Sequence, residues 1–181
     1  TADRGAAFWA HRTSGPFVHG IAHGISIIHS PLGILTLTAI VAVVLVGLAQ
    51  TRWIPTLVAV IPGGLLLNTA IKHDVQRPRP DWGFGATSLG SYSFPSGHTA
   101  GSAFFYGVLV VVLWRHVKAP WGRGALLLVA GVLVVLVASS RIILGVHFLS
   151  DCIAAVLEAL AWISICLFVG PRDPAWNART P

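Results

Sequence analysis

Three short stretches hold residues able to grip an anion and move a proton. "KHDVQRPRP" (72–80) carries Lys72 and Arg79, "SFPSGHTAG" (93–101) carries Ser96, Gly97 and His98, and "SRIILGVHFLSD" (140–151) carries Arg141, His147 and Asp151. Lys72, Arg79 and Arg141 lack enough neighbouring carboxylate to neutralise them, and a dianionic phosphate would satisfy the surplus. Arg grips such a group with two parallel hydrogen bonds, while Lys supplies a point charge. Ser96 and Gly97 precede an apolar helical run, where free N–H groups and the helix dipole favour an anion. Gly97 lets phosphate oxygens approach the backbone, and the Ser96 hydroxyl adds a donor. His147 and Asp151 are spaced i,i+4 and so share one helix face. A carboxylate that accepts the Nδ1 proton leaves Nε2 with a free lone pair, which makes His147 a candidate nucleophile. His98 is the candidate general acid, protonating the leaving oxygen and later activating water. Phosphate monoester hydrolysis calls for accelerations up to ~10²¹-fold. A cage of preorganised donors around the phosphoryl oxygens supplies much of that.

Those residues sit in a chain built for lipid. Of its 181 residues, 55% are hydrophobic and only 10% charged, with a mean hydropathy of +0.77. Soluble domains carry about a quarter charged residues. Five runs, 32–49, 54–71, 99–117, 124–144 and 148–169, are long and apolar enough to cross a bilayer as helices. The expected fold is therefore all-α: a polytopic membrane helix bundle of five spans, one domain over 1–181, with 80–97 as an internal loop. The first run is too long and too far inside the chain for a signal peptide. Segment 3–30 mixes Phe8, Trp9, Phe17, Ile21, Ile25 and Ile28 with His11, Arg12, His19, His23 and His29, the pattern of a helix lying in the interface. Cys152 and Cys166 lie 14 residues apart on one predicted helix, too distant to pair. There is no Met, even at position 1, which reads as a trimmed or processed chain and leaves open whether a span lies upstream of Thr1 or the chain is a shorter, five-span variant.

The net charge of +6 does not point to nucleic acid, because the basic residues fall at span ends rather than on one soluble face. Arg52, Arg115, Lys118, Arg123, Arg172 and Arg179 share one side, which the positive-inside rule makes cytoplasmic. Trp53, Trp114 and Trp121 mark that interface. The other side holds Lys72, Arg77, Arg79 and Arg141 against the rule, and all three stretches converge there.

At this point the sequence resembles a known family. Lys72, Arg79 and Pro80; Pro95–Ser96–Gly97–His98; and Ser140, Arg141, His147 and Asp151 match the three-part signature of the type 2 phosphatidic-acid phosphatases. Bacterial lipid phosphate phosphatases, glucose-6-phosphatase and the vanadium haloperoxidases belong to the same superfamily. The resemblance implies a phosphohistidine at His147, orientation of that ring by Asp151, and acid/base work by His98. Lys72, Arg79, Ser96, Gly97 and Arg141 would hold the phosphate, with no metal or other cofactor. It also implies six spans, one more than the runs provide. The haloperoxidases are soluble, which this chain is not.

Around that core lie residues with bland alternatives. Arg77 reads as a secondary phosphate contact or a solvated loop cation. Glu158 lies seven residues after Asp151 and reads as lining a lipid cavity or pairing with a polar group such as Asn68, since a carboxylate inside a span needs a partner. Trp82, Phe84, Tyr92 and Phe94 read as a lid or as interface anchors, Ser140 as a support for the turn or for Arg141, and His73 and His116 as surface residues. His19 and His23 are spaced for a metal but lack the accompanying Glu, so water and headgroups are their expected surroundings. The expected function is hydrolysis of undecaprenyl pyrophosphate, phosphatidylglycerol phosphate or phosphatidic acid at the outer face of a bacterial inner membrane. Partners would be substrate and membrane lipids, with the oligomeric state open. A lipid phosphotransferase using the same site is one alternative. A non-catalytic lipid-phosphate binder or transporter is another, hinted at by Pro62–Gly63–Gly64 inside the second run.

Overall fold

Prolines set where several helices begin, because a ring at the first turn removes only an N–H that has no helical partner. The computed structural model describes residues 2–81 and 90–169. Seven α-helices occupy most of them: α1 (Ala2–Thr13), α2 (Pro16–Ile28), α3 (Pro31–Gly47), α4 (Ile54–Val75), α5 (Gly97–Trp114), α6 (Pro120–Ile143) and α7 (Leu149–Val169). A 3-10 turn, Thr51–Trp53, leads into α4. Each of the five apolar runs matches one helix, α3 to α7, within a few residues at either end.

The turn and α4 together, α5, α6 and α7 are each long and apolar enough to cross a membrane. The chain is an integral membrane protein of helical architecture. Helix α3 has 17 residues, about 25 Å at 1.5 Å per residue, and meets α2 at a bend of 54°. Ser30 caps α3 by accepting the Gly33 N–H at 3.1 Å. A Cβ on Gly33 would fall 2.1 Å from the Ile28 carbonyl oxygen, so only glycine permits this bend.

The N-terminal segment differs from the single interfacial helix expected. It forms two helices, split where Gly15 takes an extended conformation, as the residue before a proline is driven to do. Helix α1 packs on α6 and α7, and α2 on α6 and α3.

Helix α5 is central, packing against α3, α4, α6 and α7. Its first turns read Gly-His-Thr-Ala-Gly-Ser-Ala, small residues that let neighbouring backbones approach closely. The core is a cluster of Ile34, Leu57, Val60, Ile61, Phe104, Val108 and Ala155, among others. The buried Phe104 ring lies on Gly64 of α4, where an added Cβ would come within 2.6 Å of its Cζ. Helix α4 runs unbroken through Pro62, so the discontinuity that hinted at a transporter is absent. Pro62 leaves the Val58 carbonyl without its helical donor, and Trp162 of α7 donates to the next carbonyl, Ala59, at 3.1 Å.

Candidate active site

The turn between α6 and α7 forms as its sequence demands. Gly145 takes a left-handed conformation, φ 69°, just past the end of α6. Its N–H donates to Ile142 O at 2.9 Å, and the Val146 N–H donates to Arg141 O at 3.2 Å. These two bonds are a Schellman cap. The turn places Arg141 at the end of α6 and His147 before α7. In α7 Asp151 reaches back to the Phe148 N–H at 2.9 Å, half of a capping box. A second anchor joins helices: the Ser96 N–H donates to the Asp151 carbonyl oxygen at 3.1 Å, tying the start of α5 to the start of α7.

His147 is buried, with its two nitrogens facing different partners. Nδ1 lies 3.4 Å from Asp151 Oδ2, a long contact, and has no hydrogen-bond partner of normal geometry among the described residues. Catalytic hydrogen bonds are often long without substrate and shorten once it binds. Nε2 lies 3.3 Å from Arg79 Nη1. Burial pushes His147 down to about 4; the contact with Asp151 opposes this, while Arg79, Arg141 and Lys72 push the same way. The lowered value favours the neutral ring, the form that keeps a lone pair on one nitrogen.

The three cations converge on this ring. The Arg79 guanidinium is fixed by Ser91 O at 2.8 Å, Ser91 Oγ at 2.9 Å and Val146 O at 2.9 Å. Burial lowers its pKa from the usual value, and Asp151 counteracts this. The Lys72 ammonium donates to Pro95 O and to Tyr92 O at 3.2 Å. Arg141 is buried, donates Nη1 to Ser26 Oγ, and keeps a buried Nε with no partner among the described residues. Lys72, Arg79 and Arg141 lie near enough to repel one another electrostatically. A surplus of that kind, with a donor left over, suits an anion.

Ser96 stands at the N-cap of α5 but forms no side-chain cap, so the first N–H groups of that helix have no side-chain acceptor. Its hydroxyl accepts from Thr99 at 3.0 Å. A Cβ on Gly97 would sit 3.3 Å from Asn68 Oδ1 and 3.7 Å from Lys72 Cε, closing the approach to Lys72. His98 makes no hydrogen bond among the described residues, and Arg141, His147, Arg79 and His29 act on it electrostatically. All eight residues of the expected catalytic and phosphate-binding sets therefore meet at one end of the bundle.

Residues 31–173 match the PAP2 superfamily, a range that contains all three stretches. The chain belongs to that superfamily. Phosphatidylglycerophosphatase B of Bacillus subtilis (strain 168) is 39% identical over 87 residues, which are 48% of this chain and 42% of that protein. The match thus spans less than half the length of that curated relative. The crystal structure of a transmembrane PAP2-type phosphatidylglycerolphosphate phosphatase from Bacillus subtilis superposes with a TM-score of 0.80 at 28% identity, over 91% of this chain and 82% of that one. Aquifex aeolicus LpxE shares the fold, with a TM-score of 0.68 at 20% identity over 93% and 96% of the two chains.

Within this PAP2 site some residues stand elsewhere than the sequence implied. Arg77 turns away from the three cations. Its Nη1 donates to Asp151 Oδ1 and to Ser150 Oγ, both at 2.7 Å, because the turn after α4 aims it at the start of α7. Ser93, buried and unremarked in the sequence, donates to Asp151 Oδ2. His29 is buried too, not turned to water: Nδ1 bonds Ile25 O at 2.9 Å and Nε2 meets the Tyr106 hydroxyl at 2.7 Å. His19 contacts His11, its Nε2 3.2 Å from the His11 carbonyl oxygen. Of the expected polar pairs, Asn68 does bond Glu158, Nδ2 to Oε2 at 2.8 Å. Ser140 donates to Val137 O at 2.6 Å within its own helix. Tyr92 packs edge-on against His73, whereas Trp82, Phe84, Arg172 and Arg179 lie outside the described residues. Beside Lys72 opens a cavity of about 630 Å³, lined by Pro31, Leu65, Asn68, Thr69, Tyr92 and Gly97 among others.

Proposed function

We propose that this chain is a membrane phosphatase removing phosphate from lipid phosphates or pyrophosphates through a phosphohistidine at His147. The observation that carries this reading is the orientation of His147: Nδ1 faces Asp151 while Nε2 faces Arg79. The Nε2 lone pair attacks phosphorus in line, an N–P bond forms, and the P–O bond to the lipid breaks. His98 gives its proton to the departing oxygen. Water then donates a proton to His98 and attacks phosphorus, breaking the N–P bond and releasing inorganic phosphate. Lys72, Arg79, Arg141, Ser96 and the first N–H groups of α5 surround the phosphoryl oxygens. Such preorganised donors act where charge develops. They supply the charge stabilisation that a metal supplies in other phosphatases, so the reaction runs without one.

The cavity beside Lys72 supports a lipid, since Pro31 and Leu65 offer apolar wall next to the phosphate cage. Phosphatidylglycerol phosphate is the leading substrate, because the curated relative and the solved structure are both named for that activity. Undecaprenyl pyrophosphate and phosphatidic acid fit the same chemistry. Arg52, Arg115, Lys118 and Arg123 lie at the opposite ends of the spans, which orients the site to the extracytoplasmic face of a bacterial inner membrane. The whole chain, 1–181, acts as one domain in this reading.

The test is phosphate release from those three lipids in detergent with EDTA, for wild type and His147→Ala. Turnover that persists in EDTA, disappears in the variant and leaves an acid-labile phosphoenzyme on brief quenching is expected. Absence of turnover on all three lipids, or its loss with EDTA, would overturn the reading.

A further inference from the structure

Asp151 serves more than His147, and its second partner is not in any of the three stretches' matching positions. Gln76 ends α4 in a left-handed conformation, φ 50°, and the chain turns so that Arg77 points back over the start of α7. There the guanidinium is held on three sides. Nη1 donates to Asp151 Oδ1 and Ser150 Oγ, Nη2 donates to Asp3 Oδ2 at 3.0 Å, and the Phe148 ring lies 4.3 Å beneath Cζ. Asp3, from the first turn of α1, also accepts the Ser150 N–H at 3.0 Å and the Ser150 hydroxyl. Burial alone would raise the Asp3 carboxyl, but hydrogen bonds from Ser150 and Arg77 outweigh it and hold the carboxyl below its usual range.

We propose that Arg77 and Asp3 are positioning residues of the catalytic site, forming a carboxylate–guanidinium clamp that divides Asp151 between Arg77 and His147 and makes helix α1 part of the active site. The proposal rests on the phosphohistidine reading. Asp151 Oδ2 already accepts from Ser93 and from the Phe148 N–H, while Oδ1 is taken by Arg77. An Asp151 facing His147 alone would place its full charge on the ring and favour the imidazolium, which has no lone pair to attack with. Arg77 offsets part of that charge, and Asp3 offsets part of Arg77. Once phosphorus bonds to Nε2 the ring becomes cationic, and the 3.4 Å contact of Nδ1 with Oδ2 has room to shorten. The carboxylate thereby binds the transition state more strongly than the resting enzyme, which is what accelerates a reaction. The other charged and titratable groups facing His147 are Lys72 on α4, Arg79 after it, His98 on α5 and Arg141 on α6. They remain in place when Arg77 is changed. Lysine cannot substitute fully, because one ammonium cannot bridge two carboxylates in fixed geometry as the planar fork does.

The test is the pH dependence of kcat and KM for the full chain in detergent, on one lipid phosphate so that substrate ionisation cancels. Variants are Arg77→Gln, Arg77→Lys and Asp3→Asn, each checked for folding by thermal unfolding. Arg77→Gln should lower kcat by about 10- to 100-fold with KM little changed. It should also move the acid limb of kcat/KM to higher pH by about one unit, because the uncompensated carboxylate makes His147 more basic. Arg77→Lys should keep the limb near the wild-type position yet recover only part of kcat. Asp3→Asn should move the limb the other way, to lower pH, since Arg77 then bears wholly on Asp151. A raised KM with unchanged kcat would make Arg77 a headgroup contact and overturn the proposal. So would unshifted limbs with activity loss that merely tracks the folded fraction. If the wild type forms a phosphoenzyme at His147 while the variants show unshifted limbs, the clamp fails and the phosphohistidine reading stands. If the wild type forms none, that reading has failed first.

Discussion

Ser93→Ala isolates one contact of the Asp151 carboxylate, which the proposed mechanism pairs with His147. Asp151 has no exposed surface and accepts three hydrogen bonds: Arg77 on Oδ1, and Ser93 and the Phe148 N–H on Oδ2. Ser93 is equally buried, and its own N–H is held by Arg77 O at 2.8 Å, so the backbone keeps its place when the hydroxyl goes. A hydrogen bond to a charged group contributes about 1.5–3 kcal/mol. The hole left by one oxygen is too small for a water to replace it. The carboxylate therefore loses roughly 2 kcal/mol of stabilisation on the oxygen that also faces His147. Expressed wholly in the transition state, at 1.36 kcal/mol per tenfold, this is about a 30-fold fall in kcat. Expressed wholly in folding, it lowers stability by about 2 kcal/mol with kcat intact. Steady-state kinetics on a lipid phosphate, paired with thermal unfolding in the same detergent, divides the two. A variant with kcat within about threefold of wild type and an unchanged unfolding temperature refutes the role assigned to Ser93.

Two further outcomes follow from packing and from hydrogen-bond geometry. Gly64→Ala puts a methyl group 2.6 Å from the Phe104 ring, an overpacking that costs about 1–3 kcal/mol; it should lower the unfolding temperature, and adding Phe104→Leu should restore part of the loss. An unchanged temperature would mean that α4 and α5 separate freely. Arg79→Lys keeps the charge but loses the fork that spans Ser91 and Val146, so kcat/KM should fall by about 10- to 100-fold, whereas near-wild-type activity would show that charge alone suffices.

How legible was this site in advance? Burial in lipid demands long apolar runs, so α3 to α7 were readable from hydropathy alone. Gly145 announced its turn because a left-handed residue after a helix is most cheaply a glycine. The i,i+4 spacing of His147 and Asp151 fixed a shared face, and side order followed from the spans. Glu158 needed a partner inside the membrane, and Asn68 was among the few polar residues able to reach it. The N-terminal segment splits at the Gly15–Pro16 dipeptide, a break that the amphipathic pattern running through 3–30 does not show.

The tertiary structure decided the partners separated by long stretches of chain. Arg77 meets Asp151 across 74 residues, Ser93 meets Asp151 across 58, and His29 meets Tyr106 across 77. Local periodicity carries no information about which side chain lies opposite at such separations, and Arg77 resembles any loop cation until the left-handed Gln76 aims it at α7. What the amino-acid order determined was the set of helices and the chemistry delivered to one end of them. What only the packing of α1, α4 and α7 determined was how the charge of Asp151 is shared, because that depends on distances of a few ångströms between segments that meet only in the folded bundle.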